Sequence, residues 1–256
     1  MGFWDHVEVM RWMIVRCIVV VMGLAIVAFC FKEFVFEQIV LAPCGSDFVT
    51  YRILCRLGQL FGTESLCPQV GTIEMININL AAQLMTHIRV SCCLAAVVAM
   101  PYLVTEVWLF IRPALYRRER KPAVVATVAF FFQFFLGLAL AYYLIFPLTY
   151  NFLGTYQVSE LVVNQISLDS YIGTFIGLMF TMGLVFEMPI AAYFFGSIGV
   201  LTSAMMSKWR KVALVLVLVL AAFITPSTDI FTMCIVALPL WLLYEFSRWV
   251  VKRAER

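Results

Sequence analysis

Long apolar runs alternate with short polar stretches along almost the whole of this 256-residue chain. Runs of this length predict membrane-spanning α-helices, because about 20 apolar residues cross the hydrocarbon core and only helices or closed barrels satisfy the backbone there. The fifth run has only about 13 residues at 1.5 Å each, and we expect helices five and six to form a tight hairpin in which both are short. The six predicted helices cover residues 13–31, 88–111, 123–146, 171–195, 212–224 and 230–249.

Lys and Arg are concentrated in residues 112–121, 208–211 and 248–256, whereas residues 148–171 carry neither. Cations beside membrane helices stay on the cytoplasmic side. The pattern therefore predicts an all-α membrane protein with six transmembrane helices and both termini in the cytoplasm. The remaining segments are then a cytoplasmic N-terminal segment (1–12), a first external loop (32–87), a cytoplasmic loop (112–122), a second external loop (148–170), a cytoplasmic loop (196–211) and a cytoplasmic tail (250–256).

The composition indicates one helical bundle in the bilayer. Hydrophobic residues make up 64% of the chain and charged residues 13%, whereas soluble domains are about half apolar and a quarter charged. The net charge of +3 is small, so the cations indicate loop sidedness rather than nucleic-acid binding. Asp5 and Glu8, without a Lys, precede the first run. This favours an uncleaved first helix over a signal or transit peptide, and a bacterial inner membrane over an organelle.

Cysteines, histidines and hydrolytic motifs give no sign of catalysis. The eight cysteines form no CxxC pair, and His6 and His87 lie far apart, so we expect no metal or other cofactor. No GxxxxGK(S/T), HExxH or GxSxG sequence is present, so no enzyme is expected. In the first external loop, Cys55 and Cys67 either form a disulfide or stay free. The cysteines of the apolar runs are expected to be small core residues: Cys17, Cys30, Cys92, Cys93 and Cys234.

Carboxylates within or beside the apolar runs are the main candidates for function, because charge at bilayer depth is costly. Pro189 follows Glu187 and cannot donate to the carbonyl of Val185, which predicts a kink. Glu187 is then either a functional residue beside a broken turn or a paired structural one. Glu106 lies near the basic loop and is expected to snorkel toward its surface. Glu119 lies within a cluster of cations and is either a solvated acid or one that faces an incoming guanidinium.

Residues 101–121 resemble the signature of the TatC family, the polytopic receptor subunit of the twin-arginine protein translocase. The matching positions are Pro101, Trp108, Phe110, Pro113, Leu115, Tyr116, Glu119, Arg120 and Lys121. Further stretches resemble family motifs in the same order: FWDHVEVMR at the N-terminus, FEMP at residues 186–189, and TPSTDIF with ALPLWLLYE in the last hairpin. The resemblance therefore covers nearly the whole chain.

The resemblance implies a receptor that binds the twin-arginine signal peptides of folded cargo at the cytoplasmic face and supports export driven by the proton-motive force. It implies a homo-oligomeric assembly in lipid with single-span TatA and TatB-type subunits. Carried over by motif, the signal-peptide contacts are Glu119, Phe110, Tyr116, Glu8, Asp5 and Arg11. The intramembrane functional residues are Glu187 and Pro189, and the structural or partner contacts are Pro43, Pro101 and Asp229.

The N-terminal stretch FWDHVEVMR departs from the family motif, because Val9 occupies the position at which the family has an acid. Either Asp5, one turn earlier on the same face, or the adjacent Glu8 substitutes for it, or this part of the site contributes less than Glu119. The TPSTD turn is one residue longer than the common family form, which leaves the role of Asp229 open.

Other function classes predict different features. A secondary transporter or proton channel built around Glu187 and Glu106 would favour inverted repeats and paired broken helices, which the sequence does not contain. An intramembrane enzyme would need a nucleophile and base, or a metal cluster, at membrane depth, and the scarcity of histidines argues against it.

Overall fold

The computed structural model describes residues 3–45, 47–61, 75–111, 120–156, 165–197, 199–225 and 230–255. Its elements are, in chain order, α1 (Phe3–Cys30), α2 (Val49–Phe61), β1 (Met75–Ile76), α3 (Ala82–Ile111), α4 (Arg120–Leu140), α5 (Phe146–Thr155), β2 (Ile166–Ser167), α6 (Leu168–Val185), α7 (Met188–Ser197), α8 (Ser203–Lys208), α9 (Arg210–Ile224) and α10 (Ile230–Ala254). Strands β1 and β2 pair in parallel over two residues. Turns of π-helix occur at Phe34–Val40 and Ala141–Ile145.

Five of the described helical segments are long and apolar enough to cross a membrane: Val7–Cys30, Ala82–Phe110, Val124–Thr155, Leu168–Ser197 and Thr232–Arg253. Helix α9 has only 15 residues, which confirms a short fifth helix. The prediction of a short sixth helix is wrong, because α10 runs for 25 residues. Lys252 and Arg253 are good helix formers and carry the helix past the apolar run into the tail.

The third predicted helix does not end at Pro147. Helix α4 passes through the π-helical turn at Ala141–Ile145 directly into α5, which continues to Thr155. Pro147 lies in the first turn of α5. Because the helix continues through Pro147, the carbonyl of Tyr143 four residues earlier receives no amide from it, and the hydroxyl of Thr50 donates to that carbonyl instead. The segment from residue 148 onward therefore begins as helix.

Helices α1 and α3 run antiparallel. The Arg16 guanidinium lies 2.9 Å from the Glu106 carboxylate, and the ring of Phe29 stacks on His87 with centroids 3.9 Å apart. Phe29, late in α1, thus contacts His87, early in α3, whereas Arg16, earlier in α1, contacts Glu106, late in α3. The start of α1 and the end of α3 consequently lie together, at what we call the N-terminal end of the bundle; the opposite end is the far end.

Further contacts orient the rest of the bundle. Arg89, near the start of α3, pairs with Asp169, at the start of α6, over 2.9 Å. Helix α6 therefore runs parallel to α3, and α7 ends at the N-terminal end. Gly196 near the end of α7 lies against Val251 near the end of α10. The described parts of the chain thus begin and finish at the same end of the bundle.

Tyrosine hydroxyls anchor the segment that follows α1 at the far end. Tyr171 donates to the carbonyl of Val40 over 2.7 Å, and Tyr142 donates to that of Ile39 over 2.8 Å. Both carbonyls lie at the end of the π-helical turn Phe34–Val40, which follows α1. The hydrogen bonds therefore attach this turn to α6 and to the second π-helical turn, Ala141–Ile145.

The bonding and burial of several cysteines differ from the prediction. Cys55 is disulfide-bonded; Cys67, its predicted partner, lies outside the described residues. The prediction of core positions is wrong for Cys30, Cys92 and Cys234, whose side chains are exposed on helix surfaces. A thiol is apolar enough to face lipid, so an apolar run alone does not distinguish the two environments.

Candidate functional site

The first turns of α1 carry part of the predicted signal-peptide site. Glu8 and Arg11 are exposed, and Asp5 belongs to the same helix. Glu8, Val9, Trp12 and Arg16 line an open groove of about 420 Å³. Glu8, Trp12 and Arg16 recur every four residues and so share one face of the helix. The groove therefore presents an acid, an indole and a guanidinium in line along α1.

The end of α3 carries a second part of the predicted site. Phe110 is the penultimate residue of α3 and is half-buried. Because α1 and α3 are antiparallel, Phe110 lies at the same end of the bundle as Glu8. Tyr116, Glu119 and Asp229 lie outside the described residues, so their roles stay predictions.

Glu106 does not snorkel to the surface as predicted. It is only 8% exposed. One of its carboxylate oxygens accepts from the Arg16 guanidinium at 2.9 Å, and the other accepts from the Tyr102 hydroxyl at 2.7 Å. An opposite charge within reach on a neighbouring helix satisfies a carboxylate without displacing it to the interface.

Arg16 is the functional candidate that sequence reasoning missed. It is the one charged residue in the first apolar run, and Glu106 is the one acid in the second. Charged side chains within membrane segments usually pair with one another. That rule, applied to adjacent antiparallel helices, could have found the pair.

Glu187 occupies a break in the fourth predicted helix. Helix α6 ends at Val185 and α7 begins at Met188, which confirms the kink expected from Pro189. The amide of Glu187 bonds to the carbonyl of Leu184 at 3.1 Å, three residues back instead of four. Glu187 is 8% exposed, and neither of its carboxylate oxygens has a hydrogen-bond partner among the described residues.

Helices α4 and α6 pack closely just before this break. A Cβ added at Gly137 would lie 2.7 Å from the carbonyl oxygen of Met182 and 2.8 Å from the Cβ of Phe186. A Cβ added at Gly183 would lie 2.8 Å from the ring of Phe134. Each helix thus has a glycine where its neighbour comes closest, and the residue that precedes Glu187 is held against α4.

The predicted structural prolines occupy different environments. Pro43 is buried in a 3₁₀ turn, and its carbonyl accepts from Tyr51, which also donates to Pro147 over 2.9 Å. Pro101 is exposed within α3, and its carbonyl accepts from the hydroxyl of Thr105 at 2.7 Å. Pro43 therefore anchors the far end, whereas Pro101 interrupts the backbone hydrogen bonds of α3 without ending it.

Polar contacts also join the last helices at the N-terminal end. Glu245 accepts from Arg210 at 2.7 Å and lies 2.9 Å from Arg248. Glu255 accepts from both the hydroxyl and the amide of Ser203 at 2.6 Å. Those hydrogen bonds lower the pKa of Glu255. The tail is thereby attached to the start of α8.

Metal chemistry has no candidate in the described part of the chain, which holds no group of three or more His, Cys, Asp or Glu suited to an ion. His87 instead stacks on Phe29 and meets Phe36 edge-on. The polar residues described above are therefore suited to hydrogen bonding and ion pairing.

Comparison with known proteins identifies relatives over nearly the full length. Residues 5–239 match the family described as Sec-independent protein translocase protein (TatC). A protein of that name from Blattabacterium sp. subsp. Periplaneta americana is 30% identical over 252 residues, which cover 98% of this chain and 94% of the relative. One from Aquifex aeolicus is 28% identical and covers 98% and 95%. A crystal structure of the twin arginine translocase receptor TatC matches with a TM-score of 0.72 at 28% identity, covering 98% of this chain and 100% of the other.

Proposed function

Since the chain belongs to the TatC family of Sec-independent protein translocase proteins, which are multi-pass proteins of the inner membrane, we propose that it is the receptor subunit that binds twin-arginine signal peptides. The observation that carries this proposal is that Glu8 and Arg11 on α1 lie at the same end of the bundle as Phe110 on α3. In this role the protein supports export of folded cargo driven by the proton-motive force.

The N-terminal end of the bundle is the cytoplasmic face in this proposal. Three stretches rich in Lys and Arg, at residues 112–121, 208–211 and 248–256, adjoin helix ends that belong to it. Cations beside membrane helices favour the cytoplasm. Six transmembrane helices with α9 as the short fifth, and with both termini inside, agree with this arrangement.

The recognition chemistry is the pairing of guanidinium with carboxylate. An arginine side chain offers parallel N–H donors that match the two oxygens of a carboxylate, a geometry that lysine cannot reproduce. We assign this contact primarily to Glu119, with Glu8 as a secondary acid. Phe110 and Tyr116 supply aromatic surface on which a guanidinium or an apolar part of the peptide can pack.

Glu187 is proposed as a contact for a partner helix within the membrane. Its carboxyl group is buried with no hydrogen-bond partner in the described chain, and such a group is stabilised when a polar side chain reaches it. Single-span TatA and TatB-type subunits are the partners that family membership suggests, in an assembly that holds several copies of this chain.

Export of a twin-arginine reporter in cells that carry the single-span subunits tests the proposal. We expect Glu119→Ala to weaken peptide affinity by about ten- to a hundredfold, the effect of losing a hydrogen bond to a charged group, and to reduce export more than Glu8→Ala. Glu33→Ala removes an exposed acid beyond α1 at the far end and serves as the matched control. Normal export in both Glu119→Ala and Glu8→Ala would remove the acids from recognition.

A secondary transporter or proton channel is the second candidate, because a buried acid at a helix break, without a hydrogen-bond partner among the described residues, also occurs at ion-coupling sites. Proton uptake into proteoliposomes that contain this chain alone distinguishes the candidates. The receptor proposal predicts no uptake above that of the Glu187→Gln variant. Uptake that disappears in Glu187→Gln would favour the transporter instead.

A further inference from the structure

Helix α1 rests on a narrow seam of small side chains. It packs chiefly on α3, and most of its residues are exposed or half-buried. The face of α3 between His87 and Glu106 repeats small residues every four positions, and these are buried: Ser91 at 2%, Ala95 at 1% and Ala99 at 1% exposure. A spacing of four places them on one side of the helix.

A seam of this kind permits close packing but defines the register poorly. Small residues let helix backbones approach each other in lipid, yet a row of small side chains such as Ser91, Ala95 and Ala99 presents nearly the same surface after a shift of one turn. Such a shift moves one helix by about 5.4 Å along the other. The register of α1 on α3 must therefore depend on the larger side chains at the ends of the seam.

Near the N-terminal end, the register is set by the contacts of Glu106 with Arg16 and Tyr102. Both carboxylate oxygens of Glu106 are occupied, by Arg16 at 2.9 Å and by Tyr102 at 2.7 Å. A slip of one turn would separate the charges of Arg16 and Glu106 at membrane depth, where unpaired charge is costly. The stacking of Phe29 on His87 at the far end involves no comparable penalty.

The register matters because the two helices carry different parts of the proposed site. Glu8 lies eight residues before Arg16, about 12 Å along α1, and Phe110 lies four residues after Glu106, about 6 Å along α3. A one-turn slip would displace Glu8 from Phe110 by more than the length of a hydrogen bond. Glu8 and Phe110 could then no longer contact adjacent residues of one peptide.

We propose that Arg16 and Glu106 are positioning residues that set the register of α1 on α3 and so align the N-terminal acid of the signal-peptide site with the part carried by α3. The proposal rests on the proposed function for its consequence, but its first test does not depend on peptide binding. Because Glu106 is buried and its two oxygens already accept from Arg16 and Tyr102, this acid acts on recognition through helix position, and its substitution separates that effect from the direct contacts of Arg16 in the groove.

The first test measures the register directly, by pulsed electron resonance between spin-labelled amino acids incorporated at Met10 on α1 and Val98 on α3. Both side chains are exposed, and their positions are offset by about 21 Å along the helix axes, so sliding changes their distance. We expect one narrow distance in the parent and a second population shifted by about 5 Å in Glu106→Gln. The charge swap Arg16→Glu with Glu106→Arg should restore the single distance. An unchanged distribution in Glu106→Gln would overturn the proposal.

Asp169→Asn is the matched control, because it breaks an exposed ion pair of the same length at the other end of α3. It should leave the distance unaltered. If Glu106→Gln does not fold, the double variant Arg16→Gln with Glu106→Gln provides the same test without leaving a lone charge in the membrane. This double variant should also show the shifted population.

The second test measures affinity for a twin-arginine peptide in the same variants. Glu106→Gln should weaken binding by about three- to tenfold, the range expected for a polar contact between membrane helices, and the charge swap should recover it. A changed register with unchanged affinity would overturn the alignment. If the parent itself does not prefer twin-arginine over twin-lysine peptide, the receptor function fails while the register result stands.

Discussion

Two buried glutamates, Glu106 within α3 and Glu187 in the break between α6 and α7, show how differently one residue type is used. Glu106 is satisfied by Arg16 and Tyr102, whereas Glu187 has no partner among the described residues although it is equally buried at 8% exposure. A paired charge stabilises the contact between two helices, but an unpaired polar group costs free energy within the isolated chain. We therefore expect the two residues to respond in opposite ways to an apolar substitution.

Replacement of Glu187 by Leu should leave the free energy of unfolding unchanged or raise it by about 1–3 kcal/mol, because it removes a buried polar group that has no hydrogen-bond partner in the described part of the chain. Export of the reporter should nevertheless fall. Glu106→Leu is the matched comparison and should lower stability by about 1 kcal/mol, because it leaves Arg16 unpaired. Thermal unfolding in detergent and export assays give both readouts. A Glu187→Leu protein that is less stable yet exports normally would contradict the assignment.

The break at Glu187 is predictable from the sequence and the environment of Glu106 is not, for a physical reason. The break at Glu187 follows from Pro189, whose missing amide acts within one turn of the same helix. The environment of Glu106 depends on Arg16, which is 90 residues distant in the chain. Contact between them requires knowledge of which helices are neighbours and in which register, and the local pattern carries neither.

At the scale of elements, the approach of α4 to α6 determines how the broken helix is held. Gly137 faces the last turn of α6 and Phe186, and Gly183 faces Phe134. Because neither glycine has a Cβ, the two backbones come close together, and Phe186, the residue before Glu187, is held against α4. This contact places the break, and with it the carboxyl group of Glu187, at a defined position against α4.

Gly137→Ala should destabilise the fold by about 1–3 kcal/mol, the usual cost of overpacking, because its Cβ would lie 2.7 Å from a backbone oxygen that cannot move independently. Gly177→Ala in α6 is the matched control, since a Cβ there meets nothing within 4 Å. Thermal unfolding of the two variants compares them directly. Equal melting temperatures would show that the close contact is not tight enough to matter.

The existence of most helices is predictable from hydrophobic runs, but their ends are less so. The basic stretch after residue 249 continues α10, and the helix continues through Pro147 because the hydroxyl of Thr50 donates to the carbonyl that the proline leaves without an amide. Whether a helix continues in these two places depends on the position of a single proline or cation within one helical turn. Composition averaged over a run cannot resolve that placement.

At the scale of the whole molecule, the contacts Arg16 to Glu106, Arg89 to Asp169 and Gly196 to Val251 bring the beginning and the finish of the described chain to one end of the bundle. The basic stretches predict that this end faces the cytoplasm. The sequence indicates the side of the membrane through its cations, whereas the structure supplies which helix ends lie together.

Reporter fusions test that orientation. Alkaline phosphatase, which is active only outside the cytoplasm, should be active when fused after Tyr156 at the end of α5 and inactive when fused after Glu255. A green fluorescent protein fused at the same positions should give the reverse pattern. Equal phosphatase activity at both positions would contradict an arrangement with both termini in the cytoplasm.

Recognition of the arginine pair of a signal peptide is the function proposed for this chain, and crosslinking tests it most directly. A labelled twin-arginine peptide with a photoreactive group beside the arginines should crosslink to the assembled protein near Glu119, and a twin-lysine peptide of otherwise identical sequence should crosslink far less, because only a guanidinium binds a carboxylate through paired donors. Equal crosslinking by the two peptides would contradict the receptor function.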